Sequence, residues 1–253
     1  MTRTCASISE ADQASALAVA REAIARGAEC LEFRFDAMAQ LPDDLSPFTE
    51  LPGRRIATLR EKDQGGDWQG SMEKKWEFLY RAAKAGFDVD LELGSPLISR
   101  CHLLKPSKVI VSYHDMKKTP SVSRIIESLV ECSARSDMAK GAFLVRTMRD
   151  LSQLVEATYW FSLTRERYTV IGMGELGATT RVLAHRMGSV LQFASPAPGK
   201  ETAPGQLDLE TAKWLGKEPV VTGILGYPLE HTVSPALHNA AFRASAVRGI
   251  YLR

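Results

Sequence analysis

Lys140 sits inside the apolar run Met138-Ala139-Lys140-Gly141-Ala142-Phe143, where a solvated ammonium has no obvious place. Desolvation and neighbouring positive charge lower an ammonium pKa, and the neutral amine that results can attack a ketone to form a Schiff base. The plainer alternative is a lysine snorkelling from a strand end. His114 closes the run Ser112-Tyr113-His114, and of the five histidines it alone ends a strand-like segment of this kind. Imidazole titrates near neutrality, so it can take and return a proton within one turnover. A histidine so placed is often structural, but beside an imine-forming lysine it supplies the base that C–H abstraction next to an iminium needs. Glu32, Arg34 and Asp36 share one parity of a segment whose other parity is Phe33 and Phe35. An extended backbone would put all three charges on one face, as a self-neutralising cluster or as a substrate-binding surface. Arg60 ends another such segment, and Asp90 and Glu92 share a face of a third; each is either structural or ligand-binding.

The elements that must position these residues recur regularly. Short β-rich runs fall at 4–8, 30–36, 55–60, 88–93, 108–114, 138–144, 168–173 and 190–195. Between them, helical periodicity appears at 11–26, 72–85, 122–133, 151–164 and 177–186. That alternation predicts an α/β fold with a parallel sheet and crossover helices. Eight βα units in about 215 residues predict a (β/α)8 TIM barrel, with the active site at the C-terminal ends of the strands. The segment 195–206 holds three prolines and two glycines, which predicts a loop able to act as a lid. After a helical stretch at 207–215, the remainder predicts a strand, a Gly/Pro turn and a helix, a short incomplete βα extension.

With 45% hydrophobic and 25% charged residues among 253, the composition is that of a globular protein, and disorder, collagen and coiled coil are excluded. Thirty-two Lys+Arg against 30 Asp+Glu give a net charge of +2. That balance argues against nucleic acid or an anionic membrane as partner and leaves a small-molecule substrate. The cysteines at 5, 30, 101 and 132 form no C-x-x-C pair and no zinc-like spacing with histidine, so reduced thiols and no metal are expected. There is no apolar signal region and no run approaching ~18 apolar residues, so a cytoplasmic location is expected. Gly172-Met173-Gly174-Glu175-Leu176-Gly177 satisfies the dinucleotide fingerprint G-x-G-x-x-G. The acid that would hold a ribose is missing, because the chain reads Leu191-Gln192-Phe193 about twenty residues on. No nucleotide cofactor is therefore expected, and the glycines are expected to let the loop approach a small anion at a helix N-terminus.

Taken in order, Glu32-Phe33-Arg34-Phe35-Asp36, Leu59-Arg60 with Gln64-Gly65-Gly66, Ser112-Tyr113-His114-Asp115, Ser136-Asp137-Met138-Ala139-Lys140, Met173-Gly174-Glu175-Leu176-Gly177 with Thr180-Arg181, and Thr202-Ala203-Pro204-Gly205-Gln206 resemble the type I 3-dehydroquinate dehydratases over residues 3–215. The resemblance implies dehydration of 3-dehydroquinate to 3-dehydroshikimate, in the shikimate pathway of aromatic amino-acid biosynthesis, through a lysine imine without cofactor or metal. It implies that Lys140 is the Schiff-base lysine and His114 the proton acceptor and donor. Ser7, Glu32, Arg34, Arg60, Arg181, Thr202 and Gln206 would hold the hydroxyls and carboxylate of the substrate, with arginine gripping both carboxylate oxygens. Thr202 and Gln206 would close over it and exclude water. One position departs from the family, which usually has glutamate where this chain has Gln64; an amide does not accept protons as a carboxylate does, so reduced or altered turnover is expected.

The tail resembles a different family. Gly226-Tyr227-Pro228-Leu229-Glu230-His231-Thr232-Val233-Ser234-Pro235-Ala236-Leu237-His238-Asn239-Ala240-Ala241-Phe242 is similar to the opening of shikimate dehydrogenase. The resemblance implies shikimate contacts from Thr232 and Ser234; otherwise Ser234 is an N-cap with Pro235 at the first helical position. The expected division is a dehydratase barrel at 1–216 and an N-terminal dehydrogenase fragment at 217–253. Dehydrogenase activity is not expected, because the sequence stops before that family's catalytic lysine and aspartate and its NADP domain. Two other readings stay open: an aldolase-type lysine-imine lyase, and a binding protein that kept the pocket and lost turnover. A homodimer is compatible with either.

Overall fold

A computed structural model describes every residue except Met1, Arg165, Tyr227 and Glu230. Eight parallel strands follow the predicted segments closely: β1 (Arg3–Ile8), β2 (Cys30–Arg34), β3 (Arg54–Thr58), β4 (Asp88–Glu92), β5 (Val109–Asp115), β6 (Met138–Leu144), β7 (Tyr168–Met173) and β8 (Leu191–Ala194). Their order is β7-β6-β5-β4-β3-β2-β1-β8. The gap between β7 and β8 is bridged by hydrogen bonds: Val190 N–H donates to Tyr168 O at 2.8 Å, and Leu191 N–H donates to Thr169 Oγ1 at 3.1 Å. The result is a TIM barrel.

Around it run α1 (Gln13–Ala25), α2 (Ser46–Thr49), α3 (Met72–Lys84), α4 (Val122–Ser133), α5 (Met148–Ser162), α6 (Ala178–Val182) and α7 (Leu209–Leu215). Their starts are written locally. Asp12, Ser71, Ser121 and Asp208 each accept a backbone N–H of the first turn, as N-caps do. α5 begins earlier than its predicted residue 151, because Thr147 and Asp150 form a reciprocal capping box. α6 is shorter than the predicted 177–186, and a 3-10 helix at Pro96–Leu104 takes the place of an α-helical crossover after β4.

Strand alternation separates two cores. On β2, Leu31 and Phe33 point outward into a β–α layer where Phe33, Phe35, Phe48, Phe78 and Phe87 meet, mostly edge to face, with Phe33 and Phe48 centroids 4.9 Å apart. Cys5, Cys30, Ile56, Ile110, Met138 and Leu191 fill the lower barrel. One step further along each strand the inward residues become Ser7, Glu32, Thr58, Ser112 and Lys140, all buried. The parallel register sets Ser7 beside Glu32 and Ser112 beside Lys140.

The tail is a βαβ unit rather than the expected βα extension. β9 (Val220–Gly223) and β10 (Gly249–Leu252) pair in parallel on either side of α8 (Ser234–Ala244) in the chain. The second strand is four residues long, too short for periodicity to reveal. Ile250 packs with Val182 and Leu215, which seats the unit against α6 and α7. Tyr227 and Glu230 of the tail motif lie outside the described residues. The cap also differs from the sequence expectation: Thr232 Oγ1 accepts the Ser234 N–H at 3.3 Å, and Ser234 itself makes no side-chain cap. Among the described residues no helix is long and apolar enough to cross a membrane.

Candidate active site

At the C-terminal ends of the strands lies an open pocket. Ser7, Glu32, Arg34, Arg60, His114, Lys140, Arg181, Thr202 and Gln206 all line it, joined by Gln64. Thr232 and Ser234 do not; they stand at the start of α8.

Lys140 is fixed from three sides. Its Nζ lies 3.0 Å from Asp90 Oδ2, 3.2 Å from Glu32 Oε1 and 4.2 Å from the centroid of the Phe193 ring. The sequence alone suggested positive neighbours; the groups in direct contact are carboxylates and an aromatic face, so the amine is tethered at one point before any ligand arrives. Glu32 in turn accepts from Ser7 Oγ at 2.7 Å and Thr58 Oγ1 at 3.1 Å. Burial, the largest single influence, raises the Glu32 carboxyl, but Lys140, Arg34 and the Ser7 hydroxyl together outweigh it and hold the group below the usual carboxylate range. Asp90 behaves likewise: burial is opposed first by Arg60 and then by Lys140, and the net shift is strongly downward.

His114 is half-buried and held by one side chain. Gln64 Oε1 lies 3.3 Å from both the His114 backbone nitrogen and Nδ1. The backbone N–H can only donate, so the amide must present its oxygen, and Nδ1 must then carry the ring proton to complete the second bond. Nε2 is left with its lone pair. Burial first, and Arg60 and Lys140 next, push the His114 pKa well below its ordinary 6.5, so the imidazole is neutral and basic in function at neutral pH.

The three arginines are not equivalent. Arg34 forms a two-pronged pair with Asp36, at 2.9 and 2.7 Å. This corrects the picture of Glu32, Arg34 and Asp36 on one strand face, because β2 ends at Arg34 and a 3-10 turn over Phe35–Ala37 brings Asp36 back onto its neighbour. Arg60 is engaged by Asp90 at 2.9 Å, Ser112 at 2.7 Å and Glu92 at 3.4 Å; burial works against its charge, but the carboxylates of Asp90, Glu92 and Glu32 prevail and raise its already high pKa. Arg181 is different. It is buried, pairs with no carboxylate among the described residues, and leaves Nε without a partner; Nη1 makes one long contact, 3.4 Å to Phe193 O. Burial lowers its pKa to about 10, so it remains a cation at neutral pH and lacks an anion.

The loop 195–206 roofs the cavity. Thr202 N–H donates to Gln206 Oε1 at 2.7 Å, and Thr202 Oγ1 lies 3.2 Å from the same oxygen. Of the G-x-G-x-x-G glycines, Gly172 and Gly177 pack against each other and Gly174 meets this roof. Gly174 N–H donates to Pro204 O at 3.0 Å, and a Cβ on Gly205, whose φ is +72°, would stand 2.2 Å from Gly174 O. Only a residue without a side chain lets the two loops approach so closely.

Sequence reading undervalued Asp90, which contacts both Arg60 and Lys140, and missed Ser112 and Phe193. The available signal was the shared inward parity of Asp90, Ser112 and Lys140 on neighbouring strands.

The type I 3-dehydroquinase family profile matches residues 4–215. The chain is 37% identical over 205 residues to the 3-dehydroquinate dehydratase of Methanococcus vannielii, covering 78% of this chain and 91% of that protein. It is 32% identical over 247 residues to the bifunctional 3-dehydroquinate dehydratase/shikimate dehydrogenase of Arabidopsis thaliana, covering 89% of this chain and 40% of that one. Among solved structures, the 3-dehydroquinate dehydratase of Geobacillus kaustophilus shares the fold with a TM-score of 0.78 at 22% identity, over 84% of this chain and 89% of that one.

Proposed function

The chain belongs to the type I 3-dehydroquinase family and is a lyase that dehydrates 3-dehydroquinate; from that premise we propose that Lys140 forms the imine and His114 moves the protons. The observation that supports this most is one cavity holding a tethered lysine, a neutral histidine and an arginine without an acid partner. The substrate ketone condenses with the Lys140 amine, releasing water. The iminium draws electrons from the neighbouring carbon, and His114 Nε2 removes its proton. The electron pair then expels the hydroxyl two carbons from the iminium carbon, and the proton held by His114 leaves with it as water. Hydrolysis of the product imine frees 3-dehydroshikimate and restores the amine.

Arg181 takes the substrate carboxylate, because it alone of the three arginines has no anion to give up. Glu32, Ser7, Thr202 and Gln206 address hydroxyls, while Arg34 and Arg60 contribute the positive field of the wall. Addition of 3-dehydroquinate should produce enone absorbance. Arg181→Met should raise KM by about 10- to 100-fold with a smaller change in kcat, as expected for losing a charge-assisted hydrogen bond. An unchanged KM removes Arg181 from this role, and tight binding without any enone would favour a protein that kept the pocket and lost turnover.

Gln64 orients His114 through the two bonds to its oxygen. A carboxylate at this place would accept the same two hydrogen bonds and add a negative charge beside the imidazolium. Gln64→Glu should therefore raise the pH of the acid limb of kcat/KM by on the order of one unit and increase kcat. A superimposable pH profile and an equal kcat would show that the amide does not limit turnover.

For the tail, the relevant support is the bifunctional relative and the Thr232–Ser234 sequence. We infer that 217–253 is the opening of a shikimate-binding domain, with the hydroxyls of Thr232 and Ser234 as ligand contacts. Saturating shikimate should perturb the amide resonances of 232–238, and a spectrum unaltered there overturns the assignment.

A further inference from the structure

Lys75 is fully buried on α3, in the helix stripe with Phe78, Leu79, Ala82 and Ala83 that faces the barrel. A buried ammonium is costly unless anions match it. Its Nζ lies 2.6 Å from Glu92 Oε2 and 2.7 Å from Glu61 Oε1. From there the charges alternate into the cavity: Glu92 to Arg60 at 3.4 Å, Arg60 to Asp90 at 2.9 Å, and Asp90 to Lys140 at 3.0 Å. Glu92 does a second thing. Its Oε1 also accepts the backbone N–H of Glu61 at 3.0 Å, so one carboxylate holds the side chain of Arg60 and the amide of the next residue. Glu61 opens the turn that delivers Gln64 to His114, and Gly66 packs that turn so tightly on Arg60 that a Cβ there would stand 2.1 Å from Arg60 O.

We propose that Lys75 is a positioning residue that, by neutralising Glu92, keeps Arg60 on Asp90 beside Lys140 and keeps the Gln64 turn against His114. This rests on the roles given above to Lys140 and His114. Without the ammonium, Glu92 competes with Asp90 for Arg60, whose present preference is a matter of half an ångström. The end of β3 then shifts, and both reacting side chains lose a neighbour. A lysine that merely fills space beneath α3 would affect folding and leave the chemistry of the folded protein alone.

The experiment compares Lys75→Met, Glu92→Gln and the double variant in the full chain, reading kcat and KM with 3-dehydroquinate beside thermal unfolding. Lys75→Met should lower kcat/KM by about 10- to 100-fold, the scale of an ångström-level misplacement. Adding Glu92→Gln should recover part of that loss, since it removes the unmatched charge. An undiminished kcat/KM in folded Lys75→Met, or losses that simply add in the double variant, would overturn the proposal. Should Lys75→Met not fold, Glu92→Gln and the double variant settle the question. With the carboxylate gone Lys75 keeps only Glu61, whose side chain pairs with no other cation among the described residues, so the two should agree in kcat/KM within about threefold, and a wider gap overturns it. Borohydride trapping of the parent protein is run alongside. Trapping with no Lys75 effect rejects this inference alone, whereas no trapping rejects the assignment of Lys140 on which it stands.

Discussion

Lys140→Ala is expected to abolish the covalent adduct that borohydride captures from the parent protein with 3-dehydroquinate, and to lower kcat by on the order of 10⁴ or more, the scale of losing a covalent nucleophile. Mass spectrometry of the treated protein reads the first effect and enone absorbance the second. Among the described residues no other lysine lines the cavity, and Lys75, the other buried lysine among them, is held by Glu61 and Glu92 behind the wall. An adduct that persists in Lys140→Ala overturns the assignment. The substitution also removes the cation nearest to Glu32, which keeps only hydroxyl partners from Ser7 and Thr58, whereas Asp90 keeps Arg60. Breaking a buried pair in this way costs about 3–5 kcal/mol of stability. Glu32 would then be buried without its cation and take up a proton more readily, so the variant should recover stability as pH falls. Activity is best compared on protein shown to be folded by its melting curve.

His114→Ala should separate proton transfer from imine formation. Its kcat is expected to fall by about 10²- to 10⁴-fold, the usual worth of a general base, while borohydride still traps substrate on Lys140. A variant that loses both trapping and turnover would place His114 in imine formation alone. The pH profile gives an independent reading. Neutral His114 is the active base, and burial together with Arg60 and Lys140 moves its pKa downward. The acid limb of kcat/KM should accordingly lie below pH 6.5, and a limb at or above that value contradicts the geometry around the ring. The same sign governs stability: the folded state binds the proton less readily than the unfolded chain, so the contribution of His114 is present above pH 6.5 and is lost as pH falls below it.

Much of the barrel is legible locally, and the reason is physical. A strand's burial pattern repeats every second residue and a helix's nearly every fourth, so the eight βα units show in the order of residue types. Where a local pattern breaks, so did the reading. β2 ends at Arg34 because the chain turns at Phe35–Ala37, and β10 is too short to announce itself. Lys75 lies in an otherwise apolar helix stripe, a signal of the same kind that marked Lys140, but on a helix a lysine is ordinarily solvated, and only the partners Glu61 and Glu92 distinguish it.

By itself the sequence determined the fold class, the strand ends on which the chemistry sits, and the residue types available there, because these depend on periodicity and on the cost of placing a charge in an apolar run. The tertiary structure decided what each charge has left to give. Arg34, Arg60 and Arg181 look alike in the sequence. Their difference arises from contacts between residues far apart in the chain: Asp36 satisfies the first, Asp90, Glu92 and Ser112 satisfy the second, and no carboxylate among the described residues satisfies the third.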